Sequence, residues 1–194
     1  LRVAQDAKAM ADAGMKVIRP HYMLPGWFRE VPGKVYEHTH KSLFDQFETG
    51  PQISEKHLRA IEAHVMLFAS LGMIFMPTVF TNPSSNMGNP QCWMHTSRMF
   101  VVPDLIKNQV IFARQLLERF KNIPSISWDL INEASSSMHE AGRWMNQLKE
   151  IFSVSGHTTG MGVFQLSHSV QLGEAADWHS VHAPCCKTPE TFFS

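Results

Sequence analysis

Hydrophobic residues along this chain recur with two different periods, one typical of helices and one typical of buried strands. Apolar stripes at helical spacing predict four helices, over residues 3–13, 54–71, 103–120 and 138–152. Short, continuously apolar runs predict five strands, over residues 15–19, 73–80, 126–133, 158–166 and 175–182. Helices and strands therefore alternate.

This alternation predicts an α/β fold with parallel strands, because strands buried on both faces read as uninterrupted apolar runs. The helix-to-strand connections are short, whereas residues 21–52 and 84–102 form long loops after strands. Long loops at the carboxyl ends of parallel strands are typical of a (β/α)8 TIM barrel or of a doubly wound sheet. No glycine-rich nucleotide-binding motif follows any strand, so the barrel is the preferred interpretation.

Composition narrows the choice of partners without identifying one. The chain has 194 residues, enough for a single domain, and 44% of them are apolar. Lysine plus arginine and aspartate plus glutamate number 17 each, so neither nucleic acid nor a membrane is an expected partner. The sequence carries no recognisable signal peptide, and its three cysteines and eleven histidines show no metal-ligand spacing. We expect no metal and no cofactor.

The chemically most suggestive segment is the third predicted strand, which ends in an adjacent amide and carboxylic acid. It is apolar through Trp128 and Leu130 and ends on Asn132-Glu133. A strand that ends in this way delivers both polar side chains to a sheet edge. The alternative interpretation is that the pair only caps the loop before the next helix.

The segment Arg119-Phe-Lys-Asn-Ile-Pro-Ser-Ile-Ser-Trp-Asp-Leu-Ile-Asn-Glu133 resembles the clan of retaining glycoside hydrolases with (β/α)8 barrels. That clan contains β-mannanases, cellulases and β-galactosidases, and its fourth strand typically ends in Trp-x-x-x-Asn-Glu. The resemblance covers nearly the whole chain and corresponds to about the second through sixth barrel strands. It implies that residues 1–194 are a partial catalytic domain, lacking the first strand and the last two.

In such enzymes two carboxyl groups flank the scissile bond. The resemblance implies that Glu133 is the general acid/base and that Asn132 donates a hydrogen bond to the sugar 2-hydroxyl. Arg19 would lie below the nucleophile, with an ordinary ion pair at the barrel floor as the alternative. The nucleophile itself would be a glutamate on the seventh strand, downstream of this chain.

The other predicted substrate-binding residues follow strands or lie in the long loops. They are His21, Asn82, Trp93 and His182. Trp27 and Trp178 are further candidates for stacking on a sugar, although single tryptophans are more often core residues. The expected tyrosine after His182 is missing, which leaves the subfamily open. Asp129 is expected to be structural, and a buried carboxylate at this position needs a partner.

The implied function is hydrolysis of a β-linked polysaccharide or oligosaccharide, and the long tryptophan-bearing loops favour an endo-acting mannanase or endoglucanase. A non-catalytic carbohydrate-binding barrel and, more distantly, a metal-dependent barrel hydrolase are the alternatives. The expected partners are a carbohydrate substrate and the remainder of the barrel. Enzymes of this resemblance are commonly extracellular or periplasmic.

Overall fold

Helices and parallel strands alternate in the computed structural model, which describes residues 2–20, 55–81, 100–134, 138–163 and 173–181. The helices are α1 (Arg2–Asp12), α2 (Glu55–Ser70), α3 (Pro103–Phe120) and α4 (Met138–Ser153). The strands are β1 (Val17–Ile18), β2 (Ile74–Phe75), β3 (Thr78–Thr81), β4 (Ser127–Ala134), β5 (Thr158–Val163) and β6 (Trp178–Val181), with a 3-10 turn at Gly173–Ala175. The predicted α/β class is confirmed.

Strands that follow one another in the chain also lie beside one another in space. β1 pairs with β2, and β3, β4, β5 and β6 pair in that order, always in parallel. Backbone hydrogen bonds from Thr78 to Pro20 and from Asp129 to Pro77, both 3.1 Å long, join the two groups of strands. Within the described residues the order never reverses. A doubly wound sheet reverses at its switch point, so this order favours the barrel.

A proline divides the strand predicted over residues 73–80 into β2 and β3. The backbone N–H groups of Met76 and Thr78 donate to Ile18 of β1 and to Pro20 just after it, whereas that of Phe75 donates to Ser125, before β4. By this alternation Pro77 falls on the side that faces β4, where it has no N–H group to donate. The prediction of one continuous strand was therefore wrong at this point, although the two pieces follow a single path.

The last predicted strand begins later than the sequence pattern indicated. A 3-10 turn covers residues 173–175, and β6 starts at Trp178 instead of at residue 175. Asp177 fixes this start, because its N–H group donates to the Thr159 carbonyl and its carboxylate accepts from the Thr159 N–H group, both at 2.8 Å. Burial alone would raise the pKa of Asp177, but hydrogen bonds from Lys149 and Thr159 give a net lowering.

The layer between helices and strands is built from the predicted apolar stripes. Trp128 of β4 is completely buried and stacks on Phe152 of α4 with ring centres 4.8 Å apart. Phe120 of α3 meets the same indole edge-on at 5.8 Å. Trp144 of α4 donates to the buried side chain of Gln109 on α3 at 2.6 Å, so the two helices also share a polar contact. Burial of such large aromatic side chains contributes strongly to the stability of the layer.

The imidazole ring of His157, beneath this layer, accepts one hydrogen bond and donates another. Its Nδ1 accepts from the Trp128 indole at 3.1 Å, and its Nε2 lies 2.9 Å from the Ile123 carbonyl. The indole can only donate, so Nδ1 carries no proton and Nε2–H donates to Ile123. Burial lowers the pKa of His157 despite the hydrogen bond to Ile123, which raises it. The neutral ring is therefore the form that fits.

The opposite face of the strands is closed at their amino ends by Trp178. Its indole lies over Gly160 of β5 and donates to the Ser127 hydroxyl at 2.8 Å. The Ser127 and Thr158 hydroxyls are 2.7 Å apart. Ser127, Thr158 and Trp178 are the first residues of their strands. The suggestion that Trp178 stacks on a sugar was therefore wrong, because its indole packs on Gly160 at the amino ends of the strands, opposite to the carboxyl ends where Arg19 and Asn132 lie.

Replacing Gly160 by alanine is expected to destabilise the protein by about 3 kcal/mol, since a Cβ atom would overlap the indole ring of Trp178. The free energy of unfolding in urea measures the cost. In the double variant Gly160→Ala/Trp178→Leu the added methyl group has room, so its extra cost should largely disappear. A cost of the methyl group that is the same in both backgrounds would contradict the close approach of Trp178 to the β5 backbone.

His157 should make stability fall as the solution is acidified. The unfolded chain takes up a proton near pH 6.5, whereas the folded protein does so only at lower pH. The contribution of neutral His157 to stability is therefore fully present above the pKa of the unfolded chain. It is lost as the pH falls from that pKa towards the pKa of the folded protein, by at most about 1.4 kcal/mol per pH unit. His157→Gln can keep both hydrogen bonds without titrating. Urea unfolding at several pH values should show a weaker pH dependence in this variant, and an unchanged slope would contradict the assignment.

Candidate active site

One arginine at the carboxyl end of β1 holds two side chains of β4. Arg19 Nε donates to Asp129 Oδ2 at 2.8 Å, and its Nη2 forms an ion pair with the same oxygen. The Nη2 atom also donates to Asn132 Oδ1 at 2.9 Å. Because β1 and β4 are not adjacent, the guanidinium reaches across the strand path formed by β2 and β3, which lies between them. The site therefore connects three neighbouring strand paths.

Asp129 is a carboxylate with no solvent exposure, at the third position of β4. Its charge is compensated by Arg19, whose side chain is 27% exposed, and by the Thr78 hydroxyl, which donates to Oδ2 at 2.7 Å. An isolated buried charge would cost several kcal/mol, so these contacts are a condition for folding. The predicted need for a partner is met by Arg19. Arg19 forms an ion pair with Asp129 at the carboxyl end of β1, and its predicted position below the nucleophile stays a prediction.

The amide of Asn132 has a defined orientation. A guanidinium only donates, so the atom that faces Arg19 must be the carbonyl oxygen Oδ1. The NH2 group of the same amide is consequently directed away from Arg19. This orientation is chemically suited to donate a hydrogen bond to an acceptor such as a sugar hydroxyl. Asn132 is buried, and its strand pairs with Thr81 of β3 at this level.

The end of β4 is irregular on one side only. Its register with β3 is constant from Thr78↔Asp129 to Thr81↔Asn132. Against β5 the register shifts twice, and the second shift leaves two residues of β4, Asn132 and Glu133, opposite one residue of β5. A β-bulge of this kind changes the direction of side chains and is common beside active sites. It adds a local reason to consider the pair functional.

The structure brings together Arg19 and Asn132 of the predicted site, together with Asp129 and Thr78. Glu133 belongs to β4 by its backbone, and its side chain lies outside the described residues. The other predicted site residues also lie outside them; these are His21, Asn82, Trp93 and His182, with the candidate Trp27. Their roles stay predictions.

Thr78 was not recognised from the sequence, and Asp129 was not connected with the site. The signal available for Asp129 was an acid inside an otherwise apolar strand, in a protein with an arginine directly after an earlier strand. For Thr78 there was no comparable signal, because threonine is common in buried strands. Its relevance comes only from its hydrogen bond to Asp129 Oδ2, the oxygen that also binds Arg19.

Among the side chains that the structure describes, no three histidine, cysteine, aspartate or glutamate residues lie close enough to hold a metal ion. In the same ranges no helix has both the length and the apolar character needed to cross a membrane.

Several solved structures with a similar fold are glycoside hydrolases. The β-1,4-mannanase of the sea hare Aplysia kurodai superposes with a TM-score of 0.61 at 14% identity, over 84% of this chain and 52% of that one. The β-mannanase of the blue mussel Mytilus edulis gives 0.60 at 14% identity, with the same shares. An exo-β-1,4-mannosidase from Opitutaceae bacterium strain TAV5 gives 0.60 at 16%, over 82% of this chain and 27% of that one.

These likenesses concern the fold alone, and they agree with an α/β fold of parallel strands that follows part of a TIM barrel. The chain spans about half the length of the two mannanases, so it corresponds to part of such a barrel. No protein-family model matches the sequence, and no curated protein does so either.

Removing the Arg19 side chain should be severely destabilising. In Arg19→Met the Asp129 charge stays buried without its main compensation, and we expect a loss of about 3–5 kcal/mol in the free energy of unfolding. The double variant Arg19→Met/Asp129→Leu removes both charges and should recover most of this loss. Urea unfolding provides the measurement.

A surface ion pair supplies the matched control for this prediction. Lys121 and Glu118 are exposed and lie 2.7 Å apart, so Lys121→Met should cost less than about 1 kcal/mol. If Arg19→Met costs no more than Lys121→Met, the buried pair does not have the importance that its geometry indicates.

Proposed function

We propose that this chain forms part of the catalytic barrel of a retaining β-glycosidase. The observation that carries the proposal is the hydrogen bond from Arg19 to Asn132 Oδ1 at the carboxyl ends of β1 and β4. In a TIM barrel this end of the strands is where catalytic residues are found. The oriented amide immediately precedes an acidic residue, Glu133, at a bulge in the strand.

In this proposal β1 to β6 represent the second to sixth strands of the barrel. β1 is the second strand, β2 and β3 together are the third, and the remaining strands follow in order. Residues 1–194 then form a partial catalytic domain, completed by the remainder of the barrel. The second catalytic carboxylate is a glutamate on the seventh strand, which belongs to that remainder.

Glu133 has two successive tasks in the proposed mechanism. In its protonated form it gives a proton to the leaving oxygen while the second carboxylate attacks the anomeric carbon and forms a glycosyl-enzyme. As a carboxylate it then removes a proton from the water that hydrolyses this intermediate. A neighbouring carboxylate disfavours ionisation, which helps to keep Glu133 protonated for the first step.

Asn132 contributes through the substrate 2-hydroxyl. With its oxygen held by Arg19, its NH2 group donates to this hydroxyl, and the interaction strengthens as positive charge develops on the sugar ring. Such a contact lowers the barrier instead of only increasing affinity. Arg19 and the loop residues His21, Asn82, Trp93 and His182 complete the proposed substrate site.

A β-linked polysaccharide or its oligosaccharides are the proposed substrates. Two of the similar structures are named as β-mannanases and a third as an exo-β-mannosidase, which favours a mannan. The long tryptophan-bearing loops favour internal cleavage. An extracellular or periplasmic location is part of the same proposal, because polymeric glycans are encountered there.

Glu133→Ala in the full-length protein tests the proposal. Activity on a natural glycan should fall by about 10³-fold, because the leaving oxygen is no longer protonated. An aryl glycoside with a good leaving group needs little protonation, so its glycosyl-enzyme should still form and its turnover should be less affected. The pH profile of kcat/KM should also lose its alkaline limb, which reports the ionisation of this acid.

Glu118→Ala, on the exposed face of α3, is the control and should leave both activities unchanged. Equal losses on both substrates, or no loss, would count against Glu133 as the acid/base. Sugar binding without any turnover by the unmodified protein would instead support the non-catalytic carbohydrate-binding alternative.

A further inference from the structure

Four side chains of the site form a continuous chain of hydrogen bonds. The Thr78 hydroxyl donates to Asp129 Oδ2 at 2.7 Å, Arg19 Nε donates to the same oxygen at 2.8 Å, and Arg19 Nη2 donates to Asn132 Oδ1 at 2.9 Å. This series of hydrogen bonds runs from Thr78 on β3 to Asp129 on β4, then to Arg19 at the end of β1, and back to Asn132 on β4. Asp129 is thereby connected to Asn132 through the guanidinium.

The geometry of a guanidinium makes this connection directional. Its donors lie in one plane at fixed angles, so fixing Nε and Nη2 on one carboxylate oxygen also fixes the direction of the remaining N–H bonds. Asp129 is completely buried and cannot exchange Arg19 for water. The carboxylate therefore determines where the second N–H bond of Nη2 points, and with it the plane of the Asn132 amide.

We propose that Asp129 is a positioning residue that acts through Arg19 to aim the Asn132 amide at the substrate 2-hydroxyl. This inference rests on the function proposed above and adds a residue to it. Asp129 itself does not need to touch the sugar. Its effect should appear mainly in kcat, because the contact that it orients strengthens in the transition state.

The position of Thr78 is consistent with this role. Its hydroxyl is buried and donates to Oδ2, the oxygen that also accepts from Arg19. Because both donors bind Oδ2, the Thr78 hydroxyl opposes displacement of this oxygen when Arg19 moves. Thr78 thus restricts Asp129 in the same way as Asp129 restricts Arg19, and a change at Thr78 should have a weaker effect of the same kind.

The test compares a substrate with its analogue that lacks the 2-hydroxyl. Suitable probes are the para-nitrophenyl β-glycosides of mannobiose and cellobiose, each paired with its analogue that lacks the 2-hydroxyl on the sugar attached to the nitrophenol. Of the substrates that carry the 2-hydroxyl, the one that the unmodified protein hydrolyses more efficiently is used. For each variant of the full-length protein, kcat/KM for this substrate is divided by kcat/KM for its 2-deoxy analogue. This ratio, the hydroxyl ratio, isolates the contribution of the 2-hydroxyl contact.

Asn132→Ala removes the contact and should lower the hydroxyl ratio by about 10²-fold. Asp129→Asn keeps the shape of the side chain but loses its charge, and it should lower the hydroxyl ratio by about tenfold, mostly through kcat. The double variant should give nearly the ratio of Asn132→Ala alone, because Asp129 acts through the same amide.

Asp177→Asn is the matched structural control. Like Asp129, Asp177 forms an ion pair, with Lys149 at 2.8 Å, and it accepts a further hydrogen bond, from the Thr159 backbone N–H group at 2.8 Å. Unlike Asp129, it lies at the amino ends of β5 and β6. Its loss should reduce stability without changing the hydroxyl ratio. Thermal unfolding of each variant separates the two effects.

An unchanged hydroxyl ratio in folded Asp129→Asn would overturn the inference, since a purely structural role reduces activity on both substrates equally. If Asp129→Asn does not fold, Thr78→Val decides: a smaller fall in the ratio supports the inference and an unchanged ratio overturns it. These outcomes differ from failure of the proposed function, in which the unmodified protein hydrolyses neither glycoside or Asn132→Ala leaves the ratio unchanged.

Discussion

A carboxylate at the third position of β4 is removed completely from water, and the surrounding structure compensates its charge. Asp129 receives one hydrogen bond from β3 and an ion pair from the end of β1. Satisfying this charge requires three strand paths to be in the correct register at once, since no single neighbour suffices. The ion pair therefore fixes the relative position of strands whose carboxyl ends carry the candidate chemistry.

The two ends of the strands have different tasks. At the amino ends Trp178 covers Gly160 and reaches the Ser127 hydroxyl, while Asp177 ties β6 to β5, so this end is closed by packing and internal hydrogen bonds. At the carboxyl ends a partly exposed guanidinium holds an oriented amide. Such a division between an end that serves stability and an end that carries candidate functional groups is typical of TIM barrels, where loops can vary without disturbing the core.

Local pattern was enough to predict the elements, but not their mutual contacts. The stripe that opens at Pro103 and the apolar run that ends at Glu133 gave α3 and β4 almost to the residue. Pro77 was misjudged because its effect depends on which neighbour its missing N–H group would face. The pairing of Arg19 with Asp129 joins positions 110 residues apart, and it follows from the register of the sheet, which no local pattern encodes.

β4 is bonded differently along its two edges. Along β3 it keeps one register to Asn132, while along β5 it gains an extra residue at each of two irregularities. The constant register with β3 thus fixes the position of Asn132 along β4 relative to Arg19. The extra residues of β4 are accommodated along its other edge, against β5. A change in the length of β5 could accordingly reshape the rim of the candidate site while the distance between the arginine and the amide stays the same.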